Sequence, residues 1–154
     1  MIRRCTAVMT WAMLLLLAAT SVGLAEVSKG QTLYVPCSSH TYHGPKTRQL
    51  DLTVTLVVRN IDSKSPISVT SVDYFSSSGK LLRRYLSAPA VIEPMASIEF
   101  MVEQNDTVGG AGASFLVRWR AAKAVNAPVA EAVMIGSSSG LGVSYINRGV
   151  VVAE

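Results

Sequence analysis

Residues 50–59 read Leu50-Asp51-Leu52-Thr53-Val54-Thr55-Leu56-Val57-Val58-Arg59, with an apolar side chain at every even position and, Val57 apart, a polar one at every odd position. A period of two puts Leu50, Leu52, Val54, Leu56 and Val58 on one face of an extended chain and Asp51, Thr53, Thr55, Val57 and Arg59 on the other. The same alternation recurs downstream. Residues 60–66 read as a turn, Ile67–Phe75 is alternating and β-branched, and Ser76-Ser77-Ser78-Gly79 leads into residues 81–86 as a hairpin. Pro89 and Pro94 bracket a short extended piece. Ile98, Phe100 and Val102 then face away from Glu99, Met101 and Glu103, and Phe115, Val117 and Trp119 face away from Leu116, Arg118 and Arg120. Residues 129–135, 143–146 and 150–153 supply the last segments. No window repeats apolar residues at i, i+3 and i+4 over about ten residues, as an amphipathic helix would. The expected fold is all-β, a single immunoglobulin-like β-sandwich of about seven to nine strands, because turn signals recur about every ten residues. Prolines at segment edges favour strands with free edges over a closed barrel.

The chain has 154 residues and is 49% hydrophobic and 16% charged, with Lys+Arg 14 against Asp+Glu 10. That balance excludes disorder and leaves room for one domain. Much of the apolar content is N-terminal. Met1-Ile2-Arg3-Arg4 is a short positive region, residues 7–19 are an apolar run containing Leu14 to Leu17, and Gly23-Leu24-Ala25 is a small-x-small ending. This layout predicts a signal peptide over residues 1–25, cleaved after Ala25, and a β-sandwich domain over residues 26–154. The run falls short of the roughly 20 residues that a membrane anchor needs. Arg3-Arg4 lacks the surroundings of a twin-arginine signal, and the leucine-rich centre favours Sec-type export. The expected destination is periplasmic or secreted, with membrane contact only through the signal peptide before cleavage. Loss of Arg3 and Arg4 lowers the formal charge of +4 by two. No basic stripe remains to suggest nucleic acid.

Cys5 leaves with the signal peptide, so Cys37 becomes the one thiol of the exported chain and no intrachain disulfide can form. It sits in the densest run of reactive side chains, Tyr34-Val35-Pro36-Cys37-Ser38-Ser39-His40-Thr41-Tyr42-His43-Gly44. Cys37, His40 and His43 are candidate metal ligands, because thiolate and imidazole suit copper or zinc. On a straight strand successive members of this trio alternate faces, so they converge only if the backbone turns, as Pro36 and Gly44-Pro45 would permit. A blue-copper site would place its cysteine late and add a distant histidine, and a structural zinc site would need a fourth ligand. Met95, Met101 and Met134 read as core. The simpler reading of the run is an aromatic-flanked surface loop.

Gly136-Ser137-Ser138-Ser139-Gly140 formally matches G-x-S-x-G, which would make Ser138 a nucleophile. Its strand-like continuation, Leu141-Gly142-Val143-Ser144-Tyr145, makes a turn between strands the better reading. Gly109-Gly110-Ala111-Gly112 is followed by neither a lysine nor a helix start and reads as a flexible connector. Arg83-Arg84 and Arg118-x-Arg120 with Lys123 would form an anion-attracting patch if they lay on neighbouring strands. The carboxylates Asp51, Asp62, Asp73, Glu93, Glu99, Glu103 and Glu131 are scattered singly, without an acid/base pair. No cofactor is implied, and the chain is expected not to be an enzyme.

Several strings together resemble an uncharacterised domain-of-unknown-function family of small exported bacterial proteins. They are Tyr34-Val35-Pro36, Ser39-His40 and Tyr42, Leu52-Thr53-Val54-Thr55-Leu56, Arg59-Asn60, the stretch from Ile67 to Tyr74, and Gly79-Lys80-Leu81. Further on come Tyr85-Leu86, Pro94-Met95-Ala96, Glu99-Phe100 and Val102, Gly109-Gly110, Phe115, Val117 and Trp119, and Glu131-Ala132-Val133-Met134-Ile135-Gly136. The resemblance implies a bacterial, extracytoplasmic protein and brings no activity or catalytic residues with it. It also implies that an aliphatic residue is common at the position of Cys37, which would make the three-ligand set particular to this chain. The expected role is a non-catalytic binding or accessory module of the cell envelope with a protein partner there; the alternative is an extracytoplasmic copper or zinc binder using Cys37, His40 and His43.

Overall fold

The computed structural model describes residues 27–45, 48–138 and 140–152, and the expected signal peptide lies outside them. The strands are β1 (Val27–Pro36), β2 (His40–His43), β3 (Arg48–Asp51), β4 (Thr53–Arg59), β5 (Ile67–Phe75) and β6 (Leu81–Arg84). They continue as β7 (Ala90–Ile92), β8 (Ser97–Val102), β9 (Ser114–Asn126), β10 (Val129–Ser138), β11 (Leu141–Arg148) and β12 (Val150–Val152). The fold is all-β, with every pairing antiparallel and no helix among the described residues. A six-stranded sheet runs β12-β1-β9-β5-β6 with β7 also beside β5, a four-stranded sheet runs β11-β10-β4-β8, and β2 pairs with β3.

The alternation in residues 50–59 does what it predicts. Leu50, Leu52, Val54, Leu56 and Val58 are all buried, and β4 lies between β10 and β8. They share one core with Leu33 and Val35 of β1, Val69, Val72 and Tyr74 of β5, and Phe115, Val117 and Trp119 of β9. Burying side chains of this size stabilises by about 1.5–3 kcal/mol each, which is why the pattern decides the register. β5 changes phase along its length, burying Ile67 and Val69 and then Val72 and Tyr74. A register shift between Val69 and Ser71 inserts one residue and returns the later side chains to the core face.

Three expectations are corrected. Twelve strands among the described residues replace the expected seven to nine, because β1, β2 and β3 do not read as strands of their own: β2 and β3 have four residues each, too short for a period, and Leu50 and Asp51 of β3 read as the start of β4. Residues 27–36, which look like a polar lead-in, form a ten-residue strand inside the six-stranded sheet. Residues 28–31 show no apolar alternation and only its later half faces the core, so its pairing with β9 and β12 carries the strand rather than its own pattern. Of the three methionines only Met134 is core; Met95 and Met101 are 71% and 55% exposed.

The turn after β4 is built on buried Asn60. Its Nδ2 donates to the carbonyls of Ser65, Ile92 and Glu93 at 2.9, 3.1 and 3.1 Å, and its Oδ1 accepts the Asp62 N–H at 3.0 Å. Asp62 accepts the N–H groups of Lys64 and Ser65, both at 2.9 Å, and that of Asn126 at 3.1 Å. The Lys64 and Asn126 bonds lead the causes that hold its carboxyl below the usual carboxylate range, with Ser65 and the charge of Lys123 adding to them.

Asn60→Ala leaves these carbonyls without their donor, and we expect a loss of about 3 kcal/mol, read as a lower urea midpoint at unchanged m. Asp62 is more acidic in the fold than in the unfolded chain, so its contribution is present above about pH 4 and is lost as pH falls. Asp62→Asn is therefore expected to flatten the acid limb of a pH series of urea unfolding curves, while leaving its slope above pH 6 unchanged.

Candidate functional site

As the chain leaves β1 it forms a strap across the long loop between β8 and β9. The Cys37 N–H donates to the Ala113 carbonyl at 2.8 Å, and the Ser38 hydroxyl donates to the Ala111 carbonyl at 2.7 Å. Buried Ser39 donates its hydroxyl to the Thr107 carbonyl at 3.0 Å and accepts the Gly110 N–H at 2.8 Å. From the other side Ser77 binds the Gly109 carbonyl through its N–H at 2.8 Å and accepts the Gly112 N–H at 2.9 Å. Residues 109–112 are thus a clamped segment rather than the flexible connector expected. Glycine is required here because a Cβ at Gly109 would overlap the Tyr74 hydroxyl, and Gly110 has a φ of +85°.

The strap decides what the candidate metal ligands can do. Cys37 is 2% exposed in the core, and burial pushes its thiol up to about 12. His40 and Tyr42 share a face of β2, with ring centroids 5.3 Å apart and Nε2 3.3 Å from the Tyr42 hydroxyl. His43 follows His40 at an odd spacing on the same strand and so takes the opposite face. The structure does not bring Cys37, His40 and His43 together. Among the described residues no three His, Cys, Asp or Glu side chains are placed to hold a metal ion.

Ser138 pairs with Leu141 in the turn of the β10–β11 hairpin, where Gly140 has a φ of +82°, so the G-x-S-x-G string sits between two strands. The basic residues are divided. Arg83 pairs with Asp106 at 2.9 Å and lies over the Tyr85 ring, whereas Arg84 and Arg118 flank Asp73 at 3.8 and 3.3 Å. β5 stands between β6 and β9, so the two arginine groups are one strand apart and share a carboxylate. Lys123 lies near Asp62 instead.

A surface that the sequence reading missed lies on the outer face of the four-stranded sheet. Ile146, Val133, Thr55 and Met101 stand opposite one another in a single row across β11, β10, β4 and β8. Ile146 is 61% exposed and Ile135, beside the row, is 56% exposed. The signal was available: residues 132–135 are apolar at both parities, the pattern of a strand covered on both faces. The row ends at β11, an edge strand of eight residues. The N–H of Gly149 donates to the Ala130 carbonyl at 2.8 Å, and backbone direction alternates along a strand. Ser144, Ile146 and Arg148 therefore turn their N–H and C=O groups away from β10.

These features define an all-β protein of antiparallel sheets around one core, with an open edge strand and exposed apolar side chains at Met101, Ile135 and Ile146 on the same face. The chain belongs to the family described as "Protein of unknown function (DUF3124)", which matches residues 30–152. No curated protein matches its sequence. Among solved structures it is similar to Thermotoga maritima 1070, at 7% identity and a TM-score of 0.48, over 78% of this chain and 92% of that one.

A thiol shifted this far and this deeply buried is inert in the native protein. We expect Cys37 to react with an aromatic disulfide at pH 8 about a thousandfold more slowly than in urea-unfolded chain, at a rate set by opening of the fold.

Proposed function

We propose that this protein is an exported, non-catalytic binding or accessory module of the bacterial cell envelope, built as an immunoglobulin-like β-sandwich. It reaches the periplasm or the exterior by Sec-type export and cleavage after Ala25. The export reading rests on the layout of residues 1–25, with a positive start, an apolar centre and a small-x-small end. The binding reading rests on one observation, the apolar row that runs out to the β11 edge. Exposed apolar surface continuous with unpaired backbone groups fits an extended segment added as a further strand. Its backbone would bond to Ser144, Ile146 and Arg148, and its alternate side chains would cover Ile146 and Ile135. The occupant we assign is a segment of a cell-envelope protein.

A photo-crosslinking residue at Ile146, in cells, is expected to capture one envelope protein reproducibly. Ser144→Pro removes an outward N–H that β10 does not use, so it is expected to abolish capture while the thermal midpoint shifts by no more than about 4 °C. Capture that survives Ser144→Pro, or no capture of an envelope protein, overturns the edge reading. N-terminal mass analysis of the protein recovered from the periplasm or medium is expected to begin at Glu26; recovery of uncleaved chain only from the cytoplasm overturns the export reading.

A further inference from the structure

Register sets a separate chemical demand at each position of the β11 edge. Along the rows of the four-stranded sheet Arg148 stands opposite Glu131, Ile146 opposite Val133 and Ser144 opposite Ile135. These three residues of β11 share the outer face, and they are also the ones whose N–H and C=O groups turn away from β10. A strand added antiparallel to β11 therefore places one residue directly against each of them, on the same face and with Cα atoms about 5.5 Å apart. At Arg148 the neighbour within the sheet is already engaged, because the Glu131 carboxylate pairs with Arg59 at 3.4 Å. Arg148 itself makes no ion pair among the described residues, so the row ends in a cation. Ile146 is exposed and asks for an apolar side chain. Ser144 is small and stands in front of exposed Ile135, which leaves room for a long apolar side chain to reach across it.

We infer, on the reading that β11 receives an added strand, that the segment it selects is acidic at one end and apolar beyond it, in the order acidic-x-apolar-x-apolar, with its carboxylate against Arg148 and its apolar side chains against Ile146 and Ser144. A second copy of this chain supplies that pattern through neither edge of the same sheet. Residues 141–148 contain no Asp or Glu, so two β11 strands laid side by side leave both arginines without a carboxylate. The opposite edge, β8, does present Glu99 and Met101 on its outer face at the required spacing. That edge is capped, however. The Asn60 N–H donates to the Ala96 carbonyl at 2.9 Å, which turns the even residues of β8 toward β4 and the backbone of Ser97, Glu99 and Met101 outward. The outward carbonyl of Met101 already accepts the Tyr85 hydroxyl at 2.8 Å. The two edges of one sheet are thus unequal: β8 is capped and carries carboxylates that repel another acidic strand, whereas β11 is uncapped and carries a cation. The occupant is an acidic and apolar segment of a different protein.

Fluorescence polarisation of the purified protein with two labelled peptides tests this, one with Glu-Thr-Val-Thr-Phe at its centre and one with Lys in place of the Glu. We expect the Glu peptide to bind saturably and about fivefold tighter than the Lys peptide at low salt, with the difference shrinking at high salt. Arg148→Glu is expected to reverse the preference, and Ser144→Pro to abolish binding of both peptides. Arg148→Gln is expected to remove the preference without reversing it, and carries the test if Arg148→Glu fails to fold. Equal binding of the two peptides, unmoved by either Arg148 variant but lost in Ser144→Pro, overturns the acidic preference and leaves the edge reading standing. Dimers or larger assemblies of the protein that Ser144→Pro disperses make the occupant a second copy and overturn the inference. Binding of neither peptide up to about 1 mM, or binding that survives Ser144→Pro, overturns it as well, and crosslinking at Ile146 then decides the edge reading by itself.

Discussion

The structure depends on β9 being paired along both of its sides while its alternate residues fill the core. Phe115, Val117 and Trp119 are buried, and β1 and β5 bond to the strand on its two edges. A strand so constrained cannot slip by one residue without expelling its apolar side chains, so irregularity has to be absorbed by its neighbours and by its own C-terminal end. That is where it is found, at Lys29, at Thr70 and at residues 121–124. The same constraint fixes Arg118 and Arg120 on the outer face, because Trp119 between them belongs to the core. The buried side chains and the outward arginines of β9 are two consequences of one register.

Much of this was legible in the sequence wherever a strand buries one face and wets the other. β4, β8 and the first half of β9 fall in that class, and the side chains at residues 52–58, 98–102 and 115–119 take the sides that their period predicts. β1 does not, because Ser28, Lys29, Gly30 and Gln31 give no contrast between its faces. Its place is set by nine register partners on β9, which are non-local and leave no mark in its own residues. Met101 alternates with Phe100 and takes the outward side that the period of β8 predicts, so its apolar character alone misled, and Met95 lies in the turn between β7 and β8, where no period applies. The exposed row on β10 and β11 was legible as an apolar run, but the run fits a strand covered by its own domain as well as one awaiting a partner.

Clustering in sequence proved a poor guide to clustering of chemistry in the residues from Tyr34 to Gly44. Ser38, Ser39 and the backbone of Cys37 are spent on holding residues 107–113 in place. The two histidines fall on opposite faces of a four-residue strand. Register works in the opposite way: Lys29 and Arg120 are 91 positions apart in the chain, yet the β1–β9 pairing sets them beside one register break. Groups brought together by sheet register outnumber those brought together by adjacency, which is a general property of antiparallel folds dominated by long-range pairing.

The treatment of the thiol fits the proposed export. In an oxidising compartment an exposed lone cysteine invites disulfide exchange between molecules, and the exchanging species is the thiolate. Cys37 is withdrawn on both counts, by burial in the core where the strap begins and by a thiol pushed up to about 12 through desolvation. The bonds of Ser38 and Ser39 to residues 107, 110 and 111 hold the segment that follows Cys37 in place, so the thiol stays covered. A chain that needed this sulfur for coordination would have to open the strap and release the glycine segment, and would lose the hydrogen bonds of both. The local structure therefore makes the thiol part of the core.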